Sequence, residues 1–278
     1  MPSRSDATAP WLLSRTPLVT EHIKLMQARY PAIPWAESTA PSLTPEQRER
    51  AAATWRARIA AEYLAVSTFS VLSMDLCAAG APADILSLVH RAAIDEVRHA
   101  EYCCRLASIY SGKEESPAGG LSDLPDDPAR PKRQQALANA LLVSCVAETY
   151  ATVVLGTVRD QATDPVVRAV LSNIYADEVT HARIGWAYLA HCLEVGGAGE
   201  RQAASEMIPV AIRGAANVVG GPRPSEIPVD AVLRGHGLMP SEEERGLFDK
   251  SIKELLLPGF RGVGLDVDGL DQVDWLTT

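Results

Sequence analysis

The phrase "DEVRHAEYC" occupies residues 95–103, and "DEVTHARIG" occupies residues 177–185. The same Asp-Glu-Val-x-His-Ala run thus occurs twice, each time within a long stretch of helical periodicity. The residues before the two phrases also match: "AAEYLAV" around Glu62 aligns with "VAETYAT" around Glu148. Glu62 precedes Glu96 by 34 residues and Glu148 precedes Glu178 by 30. Two segments, each a pair of helices with one acid on the first and Glu-x-x-His on the second, form an internal repeat. Two charged helix surfaces alike by chance would have to account for four acids, not two.

Helix boundaries are set by local chemistry. "SLTPEQRER" offers Thr44 as N-cap, Pro45 at the first helical position and Gln47 where a capping box needs Glu or Gln. The first helix is expected to run to about Ala79. The second spans about Pro82 to Tyr110 and is stopped by Gly112 and the polar loop "KEESPAGGLSDLPDDPARP". The third covers roughly Lys132 to Asp160. The fourth starts at Asp164-Pro165 and ends before Gly196-Gly197. Beyond lie an apolar helix in "ASEMIPVAIRGAANVV", the loop "GGPRPSEIP", a helix near "SEEERGLFDKSIKELL" and a glycine-rich tail, none carrying recognisable chemistry. The expected organisation is an N-terminal segment (1–43), a four-helix bundle (44–197) and a C-terminal helical extension (198–278).

Composition sets outer limits. Of 278 residues, 47% are hydrophobic and 22% charged, which suits a globular chain. Aromatics are only 5% while alanine recurs in every long segment, favouring close-packed helices over a strand-rich sandwich. The net charge of -9 argues against a nucleic-acid partner, which normally needs a basic footprint. No apolar run of about 18 residues is read in the chain, and "APWLLSRTPLV" is too short and wrongly flanked for a signal peptide, so no membrane partner and a cytoplasmic location are expected. The five cysteines form no C-x-x-C pair, which disfavours a rubredoxin-type iron site and a disulfide framework.

The periodicity shows where the acids face. On the first helix Trp55, Ile59, Val66, Phe69 and Leu76 make an apolar stripe that contains Glu62. On the second the stripe is Ile85, Leu88, Ala92, Glu96, His99, Cys103, Leu106 and Tyr110, with Arg91, Arg98 and Arg105 assigned to the opposite, solvated face. On the third it is Leu137, Leu141, Glu148, Thr152 and Leu155. On the fourth it is Val167, Leu171, Ile174, Glu178, His181, Gly185 and Tyr188. Four ionised carboxylates in one core are prohibitive unless neutralised. Two divalent cations supply the matching charge, and Glu-x-x-His puts both ligands on one helix face. Glu62, Glu96, His99, Glu148, Glu178 and His181 are therefore the candidate metal ligands. Glu101 lies off this face and is placed to pair with Arg105; His22, His90, His191 and His236 lack the partner spacing, leaving them surface or packing roles.

A Glu from each of two helices and Glu-x-x-His from each of two others resembles the ferritin-like superfamily of di-iron and di-manganese proteins over about residues 45–195. The resemblance implies an all-α, ferritin-like four-helix bundle holding two iron ions, with manganese or a mixed pair as alternatives. It further implies a di-iron carboxylate oxidase or oxygenase that activates dioxygen to oxidise a small organic substrate, supplied with electrons by a separate donor, as a monomer or homodimer. Glu96 and Glu178 would bridge, with Glu62 and Glu148 terminal. Similarity to bacterial multicomponent monooxygenases and ribonucleotide reductase small subunits implies crossed supporting pairs, Asp95 to His181 and Asp177 to His99. In those monooxygenases a threonine at the position of Thr152 lies beside the oxygen-binding face, which makes Thr152 the candidate catalytic residue; the other reading is a hydroxyl bonded back to its own helix. Cys103 stands where the reductase subunits carry their radical tyrosine. Ile174 stands where arylamine N-oxygenases carry an additional histidine. A ferroxidase or iron-storage protein and a dimanganese catalase are the competing functions; the C-terminal extension and central loop exceed what a minimal storage subunit needs.

Overall fold

The computed structural model describes residues 31–219 and 228–276. The readings of "APWLLSRTPLV", His22 and most of "GGPRPSEIP" lie outside them. The described residues are all helix, turn and loop, with no strand. Four helices dominate: α1 (Pro45–Ala78), α2 (Ala83–Ser111), α3 (Lys132–Gln161) and α4 (Pro165–Val219). The short α5 (Ala231–Gly235) and the segmented α6 (241–262) complete the order.

The starts and stops have chemical causes. Thr44 Oγ1 accepts from the Gln47 amide at 3.2 Å while Gln47 Oε1 accepts from the Thr44 amide at 3.1 Å, closing the capping box. Gly112 ends α2 in the left-handed region at φ 69°, where a side chain would be strained. Asp164 caps α4 by accepting from the Val167 amide at 2.9 Å. Where the sequence suggests an end at Gly196-Gly197, helical backbone is broken at Gly197 alone (φ 65°, ψ -147°) and resumes to Val219.

One irregularity has no counterpart in the sequence pattern. Residues Leu141–Glu148 of α3 are wound as π-helix, with Glu148 at its end. Such a turn carries one more residue than an α-turn and so re-aims the side chains beyond it, and it is found frequently at functional sites. Gly185 on α4 permits it. A Cβ there would come within 2.7 Å of Ser144 Cβ and 2.8 Å of both the Ala140 oxygen and the Cys145 nitrogen.

α1 packs along α2 and α3 along α4, while α2 also meets α4 and the first part of α3 meets α1. Two apolar clusters result. One contains Phe69, Leu72, Val89, Ala92, Val146, Ile184 and Tyr188; the other contains Trp55, Ile59, Cys103, Leu106, Leu155, Leu171 and Ile174. On every long helix the acid singled out from sequence falls between residues of the two clusters. A polar layer is thereby sealed by apolar side chains on both sides. The first cluster continues into Phe248, Ile252, Leu256, Phe260 and Trp275, so the C-terminal segment shares the core of the long helices.

Three sequence-level expectations need correction. Leu88 is 41% exposed and Val89 is buried in its place, because the buried arc of α2 is rotated slightly from the assigned stripe. Arg98 is not solvated: it is 1% exposed, since α2 lies against both α1 and α4 and its buried arc is wider than one stripe. α1 and α3 do contain 18-residue windows of mean hydropathy 1.3 and 1.7, long and apolar enough to cross a membrane by composition. The few charged residues that these windows tolerate conceal them from a search for uninterrupted apolar runs.

Candidate metal centre

The inward acids and histidines meet in two overlapping groups. Glu62, Glu96, His99 and Glu178 can offer ligand atoms that all lie within 4.8 Å of one another, and so can Glu96, Glu148, Glu178 and His181. Glu96 and Glu178 belong to both. Each group is then completed by one Glu from α1 or α3 and one His: Glu62 with His99, Glu148 with His181. The six side chains come from four helices, two ligands on each of α2 and α4 and one on each of α1 and α3.

Both imidazoles turn Nδ1 toward the carboxylates. His99 Nδ1 lies 3.2 Å from Glu178, 3.4 Å from Glu62 and 3.4 Å from Glu96, yet it is buried with no hydrogen-bond partner. His181 Nδ1 lies 2.7 Å from Glu178 and 2.9 Å from Glu96. A buried ring nitrogen converged on by three carboxylates without a hydrogen bond fits a metal ligand, because coordination would satisfy nitrogen and oxygens together. The opposite ring edges face the aspartates of the other repeat: His99 Nε2 is 3.1 Å from Asp177, and His181 Nε2 is 3.7 Å from Asp95. The Asp177 contact fixes which nitrogen of His99 is free to bind a metal, whereas His181 Nε2 is buried without a hydrogen-bond partner.

Arg98 is the site residue that periodicity misplaces. Its Nη2 donates to Asp95 at 3.0 Å and also to Asp177, while Arg91 reaches Asp95 at 2.8 Å from the rim. One buried guanidinium therefore ties together the two aspartates that face the two histidines. The only sequence signal is asymmetry within the repeat: residue 98 is Arg where residue 180 is Thr.

Electrostatics divide the layer into acids that hold protons and acids that do not. Burial pushes the Glu62 carboxyl up to about 7, with Glu96 and Glu178 adding repulsion and His99 opposing. Burial raises Glu148 well above its ordinary value, reinforced by the charges of Glu178 and Glu96. For Glu178 burial acts upward as well, but the combined attraction of His181 and His99 brings it below the ordinary carboxylate range. Both histidines are held well above their ordinary value: burial opposes this, and Glu96 for His99 and Glu178 for His181 lead the groups that overcome it. Asp95 is lowered, burial being outweighed by His181, Arg91 and Arg98. Metal-free, the cluster neutralises itself with protons on imidazoles and outer carboxyls, the positions cations would take.

Thr152 is brought beside Glu148, but its hydroxyl donates to the Glu148 carbonyl at 2.8 Å within its own helix. Cys103 is fully buried on α2, and burial, then the charge of Glu62, raises its thiol well above the ordinary value, leaving it protonated. Of the two roles expected for His236, the structure shows packing: it is buried, and Tyr110 Oη lies 2.8 Å from its Nδ1. No family model, curated protein or solved structure matches the chain.

Proposed function

We propose that the chain is a ferritin-like dimetal carboxylate protein, its four long helices forming a bundle around two iron ions. We read it as an oxidase or oxygenase that activates dioxygen to oxidise a small organic substrate. The supporting observation is that two four-ligand groups share Glu96 and Glu178. Glu96 and Glu178 would be shared between two ions, and Glu62 with His99 and Glu148 with His181 would complete the two positions. Oxygen-rich donors with one imidazole each suit iron or manganese better than a thiolate-seeking metal.

When bound, a pair of iron ions supplies the electrons that reduce dioxygen. The chain's own part is to orient and insulate. Asp177 holds the His99 imidazole so that Nδ1 faces inward, Asp95 lies 3.7 Å from the matching edge of His181, and Arg98 fixes both aspartates while offsetting their charge. The apolar clusters on either side exclude water from the carboxylates, which strengthens every charge interaction in the layer. Thr152, engaged with the Glu148 carbonyl, is given no catalytic role in this reading. A separate protein donor would return electrons.

Metal analysis of protein purified anaerobically from iron-replete cells, with oxygen-uptake measurement on the same sample, tests this. Two irons per chain and oxygen consumption by the reduced protein are expected, from a monomer or homodimer by light scattering. A large closed shell holding hundreds of irons would assign storage. Manganese alone, with peroxide disproportionation and no oxygen uptake, would assign a catalase.

A further inference from the structure

One turn before Glu62, on the same face of α1, stands a cation without a counter-ion among the described residues. The Arg58 guanidinium stacks on the Trp55 ring at 4.6 Å, and its Nη2 donates to the Gly237 carbonyl at 3.0 Å. Its Nη1 is buried and has no hydrogen-bond partner. Other arginines of the chain have carboxylates: Arg56 has Glu49 and Glu115, Arg98 has Asp95 and Asp177, and Arg234 has Glu243. Among the described residues none reaches Arg58 within ion-pair distance. Burial acts to lower its pKa, and Cys103, Glu62, Glu244 and Tyr110 are the groups whose fields oppose this. An arginine stays protonated regardless, so this half-buried side chain carries a positive charge with one occluded, unused N–H pair at Nη1.

Leaving such a donor unpaired costs free energy, and a planar N–H edge matches a carboxylate better than any other common anion. With Nη2 already given to Gly237, the remaining donors suit a monoanion. The surrounding carboxylates Glu62 and Glu244 disfavour a dianion such as phosphate. Cys103, whose field also acts on Arg58, lies one turn beyond His99 on α2, so Arg58 neighbours the Glu62–His99 half of the cluster.

We infer that Arg58 binds the carboxylate of a small organic acid whose remaining atoms extend toward Glu62. Calling that acid the substrate rests on the oxygenase reading; the anion site itself does not. Arg58 thereby selects anionic organic molecules and sets which of their carbons lies nearest the metal-binding carboxylates.

The test is isothermal titration of the full-length protein as purified with benzoate and hexanoate, with their neutral amides, and with inorganic phosphate. At least one carboxylate should bind tenfold or more tighter than its amide. Arg58→Gln should abolish that preference while leaving amide binding unchanged. Arg58→Lys, which keeps the charge and the aliphatic stem, covers the case in which Arg58→Gln does not fold; it should weaken carboxylate binding severalfold because an ammonium lacks the planar edge. Equal binding of acids and amides, retention of the preference in both variants, or tighter binding of phosphate than of either carboxylate overturns the inference. If instead Arg58 serves only as a resting partner for Glu62, its substitution changes metal occupancy and not carboxylate binding, which also overturns it. Oxygen chemistry is not read in this titration; a failure of oxygen uptake in the separate assay above would refute the oxygenase reading alone.

Discussion

The two halves of the molecule carry one phrase but use it differently. In the first, α1 is regular helix through Glu62, and residue 98 is a buried arginine that reaches both aspartates. In the second, Thr180 replaces that arginine, and Glu148 is delivered by a π-turn seated on Gly185. Gly185 itself aligns with Cys103, which faces the neighbourhood of Arg58 and Glu62. The Glu and His repeat because, in the dimetal reading proposed above, each metal position would need the same donors. Their supports diverge because the single buried guanidinium of Arg98 already reaches both aspartates, so the second half needs no arginine at residue 180.

The shared ligands offer the most severe way to break the pairing. Glu96→Ala or Glu178→Ala removes a carboxylate from both groups and should lower metal content from two ions per chain to below one. Glu62→Ala or Glu148→Ala should cost a single ion. Metal analysis of the four variants checks this, and equal losses in all four would deny Glu96 and Glu178 their common place.

Arg98→Met leaves buried Asp95 and Asp177 without the guanidinium between them. A loss of about 3–5 kcal/mol in urea unfolding is expected from breaking a buried ionic network. Thr180→Val, at the matching position, should stay within about 0.5 kcal/mol. Similar effects from the two would remove the asymmetry between the halves.

The crossed aspartates are sharpened by Asp95→Asn and Asp177→Asn. An amide can still accept the ring N–H bond but carries no charge, so helicity by circular dichroism should be unchanged. Oxygen reaction of the reduced, iron-loaded protein, monitored by stopped flow, should slow about 10 to 100-fold. Wild-type rates in both variants would reduce the repeated aspartates to structural partners of Arg98.

Gly185→Ala forces a methyl against the π-turn and should cost about 1–3 kcal/mol despite the better helix propensity of alanine. Cys103→Ala, its counterpart, introduces no clash and should cost less. Urea titration of the pair compares them directly.

The smallest effect separates the outer acids by pH. Glu62 has a folded-state value of about 7 against an ordinary 4.5, and both histidines are also raised. Groups raised in the folded state stabilise below their unfolded values, and that stability is lost as pH rises through the folded ones. Metal-free protein should therefore melt higher at pH 5.5 than at pH 8. Metal binding displaces those protons and should reverse the order. A metal-free melting temperature that rises between these two pH values would contradict the proton-holding cluster.

Much of this was legible in the chain itself. The spacing of Thr44, Pro45 and Gln47 and the glycines at 112 and 197 mark helix ends through local backbone chemistry, which needs no tertiary context. A period of 3.6 residues sets Glu62, Glu96, Glu148 and Glu178 among apolar neighbours, and the i, i+3 step sets each histidine beside its glutamate. Tertiary packing decided the remainder. Arg98 is buried because a second helix covers a face that one-dimensional periodicity assigns to solvent. The π-turn at 141–148 exists where Gly185 of another helix admits it, and Leu88 yields to Val89 because α2 is rotated by its two neighbours. Gly237, 179 residues away, takes one of the Arg58 donors, and among the described residues no carboxylate reaches the rest. Local propensity and periodicity act over a few residues and are written in the sequence, whereas the pairing of charges across helices depends on which faces meet, and only the folded chain brings them together.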